Sequence, residues 1–233
     1  MTDDKKQSII SEELANEMFA AGVHFGHKKS NRNPKMEPYI YGLRNNIHII
    51  DLEKTMEGLQ SALEFIKDVV EKGGKILFVG IRPQCQVIIE ETAKNCKMPY
   101  VSLRWIGGLL TNFKTIRKRI EHFINLEKQR DGGELKKYTK KEQNKFDAEI
   151  EKLKRNYNGL RDLDKMPEAI LVLGAKGHPT PIREAQKKKI PIIALVDTDS
   201  DPSPIDYVIP SNDEAISALT FMLKKIEEII TKK

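Results

Sequence analysis

The stretch Ala169-Ile170-Leu171-Val172-Leu173-Gly174 contains no polar side chain. Similar apolar or β-branched runs recur at residues 75–80, 100–103, 191–197 and 207–210. Most of these runs are continuously apolar rather than alternating, which is typical of strands buried on both faces of a parallel sheet. The sequence therefore predicts five short strands in the interior of one parallel sheet.

Helical segments are predicted between these strands, at residues 54–72, 83–97, 180–189 and 212–231. Strand and helix thus alternate, a pattern that indicates an α/β layer fold. Five parallel strands with helices on both faces predict a flavodoxin-like, doubly wound sheet of strand order 2-1-3-4-5. The last helix is expected to begin at Asn212-Asp213-Glu214, because these residues suit a helix start and follow Pro210.

The connection between the second and third strands is too long for one helix. Its apolar residues step by three and four in two arms, the spacing of a heptad seam. They are Leu109, Phe113, Ile116, Ile120 and Phe123, then Phe146, Ile150, Leu153, Tyr157 and Leu160. Asp131-Gly132-Gly133 breaks the helix, and Thr139-Lys140-Lys141-Glu142 fits a capping box that restarts it. Residues 111–157 are predicted to form an antiparallel helical hairpin, inserted into a sheet domain of residues 1–110 and 158–233 with a basic amino-terminal extension.

The positive charge of the chain is concentrated in this hairpin. The 233 residues carry a net charge of +6. Residues 111–157 hold fourteen Lys or Arg against eight Asp or Glu, an excess equal to that of the whole chain. One interpretation is a solvated structural arm; the other is an RNA-binding arm, because each cation set against a phosphate releases counterions.

Composition excludes several other classes of protein. No window approaches about 20 uninterrupted apolar residues, and Met1 to Ser11 begins with Asp and Lys rather than an apolar signal core. We therefore expect a cytoplasmic protein with no membrane partner. Cys85 and Cys96 are the only cysteines, and they are too far apart along one predicted helix to pair, so free thiols are expected.

Enzymatic sites are missing where this fold would place them. After the first core strand the sequence reads Gly80-Ile81-Arg82-Pro83-Gln84, without the spaced glycines of a nucleotide site. Arg82 also occupies the edge where a receiver domain would need an acid. Arg82 is interpreted either as an anion contact or as a residue at a helix start. We expect no catalytic residue and no cofactor.

A metal site is also not expected, although candidate ligands exist. His24 and His27 have H-x-x-H spacing, but zinc needs three or four ligands and none completes the set locally. Asp197, Asp199 and Asp201 resemble the opening of a calcium loop, but Pro202 and Val208 occupy its glycine and glutamate positions. These aspartates are expected to fix a loop, the alternatives being a magnesium site shared with RNA or electrostatic orientation.

RNA-binding residues are predicted in two places. The basic amino-terminal block surrounds Asn33-Pro34 and is interpreted as a flexible loop for phosphate contacts, or else a merely solvated one. Trp105 is interpreted as core packing or as a base-stacking residue, and its neighbour Arg104 as a phosphate contact. The predicted RNA-binding residues are His27, Lys28, Lys29, Arg32, Lys35, Arg44, Arg104, Asn112, Lys114, Arg117, Lys118 and Arg119.

Three blocks of the sequence resemble the bacterial family of the second small-subunit ribosomal protein. The blocks are residues 21–55, which include Ala21-Gly22-Val23-His24-Phe25-Gly26-His27, then Arg104-Trp105-Ile106-Gly107-Gly108-Leu109-Leu110-Thr111-Asn112, and Asp197-Thr198-Asp199-Ser200-Asp201-Pro202. The loop Gly174–Pro181 departs from the family, which usually has an Asp there. The resemblance therefore implies no role for that acid in this chain.

The resemblance implies a structural protein of the small ribosomal subunit, with ribosomal RNA and neighbouring ribosomal proteins as partners. It further implies a position near the junction of head and body, and a role in docking the largest small-subunit protein. The alternative is a phosphate-binding or regulatory α/β domain, with or without enzymatic activity, that uses the hairpin to dimerise.

Overall fold

A computed structural model of the protein describes the backbone of residues 3–232 and the side chains of residues 12–232. The prediction for Met1 to Ser11 therefore concerns side chains outside the described residues. The helices are α1 (Asp3–Ala21), α2 (Leu52–Glu71), α3 (Pro83–Asn95), α4 (Phe113–Asp131), α5 (Lys140–Tyr157), α6 (Pro179–Lys188) and α7 (Ile216–Thr231). The strands are β1 (Phe25–Lys28), β2 (Ile40–Arg44), β3 (Ile47–Ile50), β4 (Ile76–Val79), β5 (Tyr100–Val101), β6 (Ala169–Leu173), β7 (Ile192–Val196) and β8 (Tyr207–Pro210).

The large sheet has the predicted architecture. Its five parallel strands lie in the order β5-β4-β6-β7-β8, which is 2-1-3-4-5 when only these strands are numbered. Every residue of β4, β6 and β7 is buried. Continuous burial explains why these runs lack polar alternation, since both faces of the sheet are covered.

Helices cover the two faces of this sheet in separate layers. Ile76 and Phe78 point into a core shared with α2, α3 and α7, whereas Leu77 and Val79 point into a core shared with α4, α5 and α6. This alternation follows from the pleat of the strand. The hairpin and α6 therefore lie on one face, and α2, α3 and α7 lie on the opposite face.

The predicted helical hairpin is confirmed as α4 and α5. Ile116, Ile120 and Phe123 of α4 are buried in the same cluster as Ile150 and Tyr157 of α5. Gly133 turns the chain between the arms at φ +74°, a conformation that glycine adopts without steric cost. The capping box forms as predicted: Glu142 accepts hydrogen bonds from the backbone N–H and the hydroxyl of Thr139. The apolar cluster continues into the sheet core, and the division into two units stays a prediction.

The amino-terminal block is not the flexible loop that the sequence predicted. Residues 25–50 form a three-stranded antiparallel sheet of order β1-β3-β2, with short 3-10 turns at Lys29–Asn31 and Pro34–Tyr39. Asn45 and Asn46 have positive φ values and form the tight turn between β2 and β3. The prediction failed because β1 and β3 are four residues long, too short to show a clear alternation.

The final helix begins later than predicted, at Ile216 rather than Asn212. The Asn212 side chain accepts hydrogen bonds from the backbone N–H groups of Glu214 and Ala215, both at 2.9 Å. This is a turn that precedes the helix. Asp213 is consequently free to point into the protein interior, where it is fully buried.

Two further expectations concern the cysteines and membranes. Cys85 and Cys96 are free and buried, and burial raises the pKa of Cys85 to about 11 and that of Cys96 to about 12. Neither thiol is therefore ionised at neutral pH. Between residues 3 and 232, no helix combines the length and the apolar character needed to cross a membrane.

Candidate nucleic-acid interface and the polar edge of the sheet

The parallel strands end at one edge of the sheet, and polar side chains collect there. Arg82 follows β4, His178 follows β6, Asp197 follows β7 and Asp213 follows β8. His27 of β1 packs against the same place. These five residues are called the polar edge below.

Arg82 is engaged inside the protein. Its Nη1 donates to Asp213 Oδ1 at 2.8 Å, and the Arg82 side chain is 21% exposed while that of Asp213 is inaccessible. Burial raises the pKa of Asp213 to about 6, although the Arg82 charge opposes this shift. The Arg82–Asp213 ion pair therefore occupies the edge of the sheet where this fold would place a phosphate ligand or the acidic residue of a receiver domain. The interpretation of Arg82 as a residue at a helix start is confirmed, because Arg82 immediately precedes α3, but neither interpretation predicted its pairing with Asp213.

His178 fixes the conformation of the loop Gly174–Pro181, which follows β6. Its Nε2 accepts from the Ile81 N–H at 2.9 Å, so Nδ1 carries the proton and donates to the Gly174 carbonyl at 2.6 Å. Burial lowers the pKa of His178, which keeps the ring neutral. This loop is therefore joined to the end of β4 through an uncharged imidazole.

His27, predicted to bind RNA, lies among carboxylates. Its Nδ1 is 3.1 Å from Asp197 Oδ1, and its Nε2 is 3.6 Å from Asp199 Oδ2 and 3.4 Å from Glu214 Oε1. Contact with Asp197 raises the pKa of His27 to about 9 against the opposing effect of burial, and the neighbouring charges assist. The ring is therefore protonated at neutral pH. Its charge is balanced by the protein itself.

A close backbone approach holds β1 against this edge. The His27 N–H donates to Thr198 Oγ1 at 2.8 Å, and a side chain at Gly26 would place Cβ 2.5 Å from Thr198 Cγ2. Glycine is required at position 26 because no other residue leaves room for Thr198. Gly26, in the stretch from Ala21 to His27, thus has a packing function.

The aspartate loop is fixed by its own hydrogen bonds, as expected. Asp197 Oδ1 accepts from the Thr198 N–H, and Asp201 Oδ1 accepts from the Ser203 N–H at 2.9 Å. Asp199 and Asp201 also bind cations from other segments, Lys176 at 2.7 Å and Lys35 at 2.9 Å. The loop therefore links the amino-terminal block to the large sheet.

The two histidines of the H-x-x-H pair do not converge. The ring of His24 is buried, stacks on Phe19 with 4.2 Å between ring centroids, and lies 4.0 Å from the ring of Phe25. Burial lowers the pKa of His24. Of the five candidate metal ligands, three come together, because Asp197 and Asp199 lie against the imidazole of His27, whose charge they balance. Within residues 3–232, no group of three or more His, Cys, Asp or Glu side chains is arranged to hold a metal ion.

The basic residues of the amino-terminal block fall into two groups. Arg32 pairs with Glu37, and Lys35 pairs with Asp201. Lys28, Lys29 and Arg44 are exposed and form no ion pair with the described residues. The second group is available to an external anion.

Trp105 lies in the core rather than on the surface, and Glu184 holds it there. Its Nε1 donates to Glu184 Oε1 at 3.0 Å. The same carboxylate accepts from the backbone N–H groups of Gly108, Leu110 and Thr111 at 2.8 to 3.0 Å, and from the Thr111 hydroxyl. Burial acts to raise the pKa of Glu184, but these hydrogen bonds outweigh it and the pKa is lowered. Glu184 of α6 thus fixes the base of the hairpin, which is called the hairpin root below and comprises residues 105–117 and 157–164. Because Trp105 is buried, its interpretation as a base-stacking residue is excluded.

The predicted RNA-binding residues of the hairpin are not equivalent. Lys114, Lys118 and Arg119 are exposed, as is Arg104 just before the root. Arg117 instead donates to the carbonyl oxygens of Arg161 and Leu163 and pairs with Glu121 and Asp164. Asn112 accepts a hydrogen bond from the Thr115 hydroxyl at 2.8 Å. Arg117 therefore stabilises the root, and the exposed cations remain as candidates.

Sequence reasoning missed Glu184, Asp213 and His178. All three side chains are buried. Their hydrogen-bond partners lie far away in the chain: Ile81 for His178, Arg82 for Asp213 and Trp105 for Glu184, at separations of 97, 131 and 79 positions. One feature of the sequence could have indicated the location of His178 and Asp213. Both follow predicted strands, and residues that follow parallel strands meet at one edge of the sheet. That signal indicates a location and does not identify the partners.

Comparisons with known proteins agree with the resemblance. A family model described as "Ribosomal protein S2" matches residues 18–232. "Small ribosomal subunit protein uS2" of Francisella tularensis subsp. novicida is 46% identical over 217 residues, which cover 93% of this chain and 91% of that protein. The protein of the same name from Francisella philomiragia subsp. philomiragia is 45% identical over the same length. The matched span includes both the hairpin and the polar edge.

Proposed function

The chain belongs to the ribosomal protein S2 family, and on that basis we propose that it is a structural constituent of the small ribosomal subunit that binds the subunit's RNA in the bacterial cytoplasm. As a member of this family it is a structural component of the translation machinery and not an enzyme. Its partners are small-subunit ribosomal RNA and neighbouring ribosomal proteins.

The charge distribution of the hairpin carries the proposal for RNA binding. Of its fourteen Lys and Arg residues, only Arg117 and Arg130 form ion pairs within the described part of the chain. The apolar seam holds the two arms together, so the cations are not needed for that purpose. Twelve cations without an ion-pair partner among the described residues favour contacts with phosphates. Such contacts bind every RNA sequence alike and are sensitive to salt.

A second RNA-binding surface is proposed on the amino-terminal sheet. Lys28, Lys29 and Arg44 are exposed there. Lys28 and Arg44 lie in β1 and β2, which both pair with β3, and Lys29 lies in the 3-10 turn after β1. This surface is expected to position the protein on the RNA rather than to read bases.

The position near the head–body junction and the docking of the largest small-subunit protein are finer proposals. They are supported by the resemblance of the three sequence blocks alone. Subunits assembled without this protein should then lack the largest protein, and adding the purified protein back should restore it. Quantitative mass spectrometry of sedimented subunits measures both outcomes.

The hairpin is tested with a triple variant, Lys114→Gln, Lys118→Gln and Arg119→Gln. Arg117 is kept because its hydrogen bonds stabilise the root. Each lost phosphate contact should reduce the slope of log affinity against log salt by roughly 0.7 to 0.9. Binding of small-subunit ribosomal RNA is measured by filter retention from about 0.05 to about 0.3 M salt.

The matched control removes three exposed cations from the opposite face of the sheet: Lys67→Gln, Lys72→Gln and Lys224→Gln. It makes the same change in net charge at a surface that we do not propose as an interface. If both triple variants reduced the salt slope equally, the hairpin would have no special electrostatic role.

A further inference from the structure

The exposed face of α6 carries positive charge with no exposed acid. Arg183, Lys187 and Lys188 lie in the helix and Lys189 follows it, and all four are exposed. Glu184, the one acid between residues 179 and 189, is buried against the hairpin root. None of the four cations forms an ion pair with the residues that the structure describes. The charge of this face is therefore uncompensated.

Helix stabilisation accounts for only part of this arrangement. Lys187 and Lys188 lie in the last turn of α6, where cations interact favourably with the helix dipole. Arg183 lies outside that turn. Lys189 has φ +56°, a left-handed conformation that glycine adopts more readily than lysine. A requirement for the helix alone would be met by fewer cations and by glycine at position 189.

The location of α6 connects this face to the hairpin. Glu184 binds the root of the hairpin through Trp105 and the backbone of residues 108–111. Lys187 and Lys188 follow Glu184 by about one helical turn, roughly 4.5 to 6 Å along the axis. The hydrogen bonds of Glu184 therefore tie α6, which carries these cations, to the segment that leads into α4.

We propose that Arg183, Lys187, Lys188 and Lys189 form an RNA-phosphate-binding surface that extends the hairpin interface onto the sheet domain. The proposal rests on the proposed function, since it assigns a further surface to the same partner. Arg183 and Lys187 are about 6 Å apart along the helix, a distance over which one nucleic-acid strand presents about two phosphates. Exposed cations without an ion-pair partner among the described residues suit the RNA backbone, where contacts position the protein and carry no sequence information.

The test uses the full chain with Arg183→Gln, Lys187→Gln and Lys188→Gln. Gln has a helix propensity close to those of Arg and Lys, so α6 should persist. If all three cations contact phosphates, the salt slope falls by about 2 to 3 and affinity for small-subunit ribosomal RNA falls roughly 100-fold at about 0.1 M salt. A second variant, Arg183→Lys, Lys187→Arg and Lys188→Arg, keeps the charges and should retain the slope.

The outcomes separate this inference from the proposed function. If the native protein shows no salt-dependent binding to the RNA, the proposed function fails. If the native protein binds, the hairpin triple variant loses slope, and the α6 triple variant matches the Lys67, Lys72 and Lys224 control, this inference alone is wrong. Loss of affinity in the charge-retaining variant as well would also overturn it, because the effect would then come from a change in structure.

Discussion

The hairpin and the polar edge of the sheet are stabilised in opposite ways. In the hairpin, apolar residues such as Ile120 and Ile150 are fully buried and nearly all the cations face solvent. At the polar edge, the charges themselves are buried, with Asp213 and Asp197 at 0% and 1% exposure. Hydrophobic burial tolerates changes of surface charge, whereas a buried ion depends on each of its partners. Substitutions of the exposed charges should therefore cost the hairpin little stability, whereas substitutions of the buried charges should strongly destabilise the polar edge.

The largest expected effect comes from placing a charge in the seam of the hairpin. Ile120→Asp buries a carboxylate among apolar residues, which should destabilise the arm by about 4 kcal/mol. Amide hydrogen exchange should become fast throughout α4 and α5 while β4, β6 and β7 stay protected. Ile120→Val, which removes one methylene group, is the control and should cost about 1 kcal/mol. Fast exchange in the strands as well would show that hairpin and sheet form one folding unit.

A somewhat smaller effect is expected from breaking the buried ion pair. Asp213→Ala leaves the Arg82 guanidinium without its carboxylate and should lower the free energy of unfolding by about 3 kcal/mol. Urea denaturation measures the loss, with Glu91→Ala at an exposed position of α3 as the control. If the two variants lost equal stability, the polar edge would depend on its charges no more than the surface does.

The smallest effect is a pH dependence at His27. Its pKa is about 9 in the folded protein and near 6.5 in the unfolded chain, so the stabilisation is fully present below about pH 6.5 and is lost as pH rises through 9. Because the site is partly exposed, solvent screening should limit the effect to about 1 kcal/mol. Thermal melts of the native protein and His27→Gln should differ at pH 6 and converge near pH 10. A difference that stayed constant over this range would contradict the ion pairing of His27.

Local pattern was sufficient for the main architecture. The unbroken apolar runs around Leu77, Leu171 and Ile193 predicted the parallel sheet and its order, and the seam from Phe113 to Leu160 predicted the hairpin. The resemblance of the blocks around His27, Trp105 and Asp197 predicted the family. The short strands of residues 25–50 and the start of α7 were missed, because four-residue strands and a turn at Asn212 carry too little periodic signal.

The candidate site was predicted as a set of charges but not as an arrangement. Lys114, Lys118 and Arg119 proved to be exposed, in keeping with the RNA interpretation, whereas Arg82, Arg117 and His27 proved to be bound within the protein. The sequence alone shows no difference between these groups, since a cation looks the same whether its partner is a phosphate or a distant carboxylate.

The sequence by itself determined the strands, the hairpin and the surplus of positive charge, because these depend on neighbours within a few residues and on composition. Only the tertiary structure decided which of these charges have an ion-pair partner among the described residues and which face solvent. Arg82 and Asp213 are separated by 131 positions, and Trp105 and Glu184 by 79. Such pairs form because folding removes both groups from water, and each buried polar group then requires a partner that the chain supplies from elsewhere.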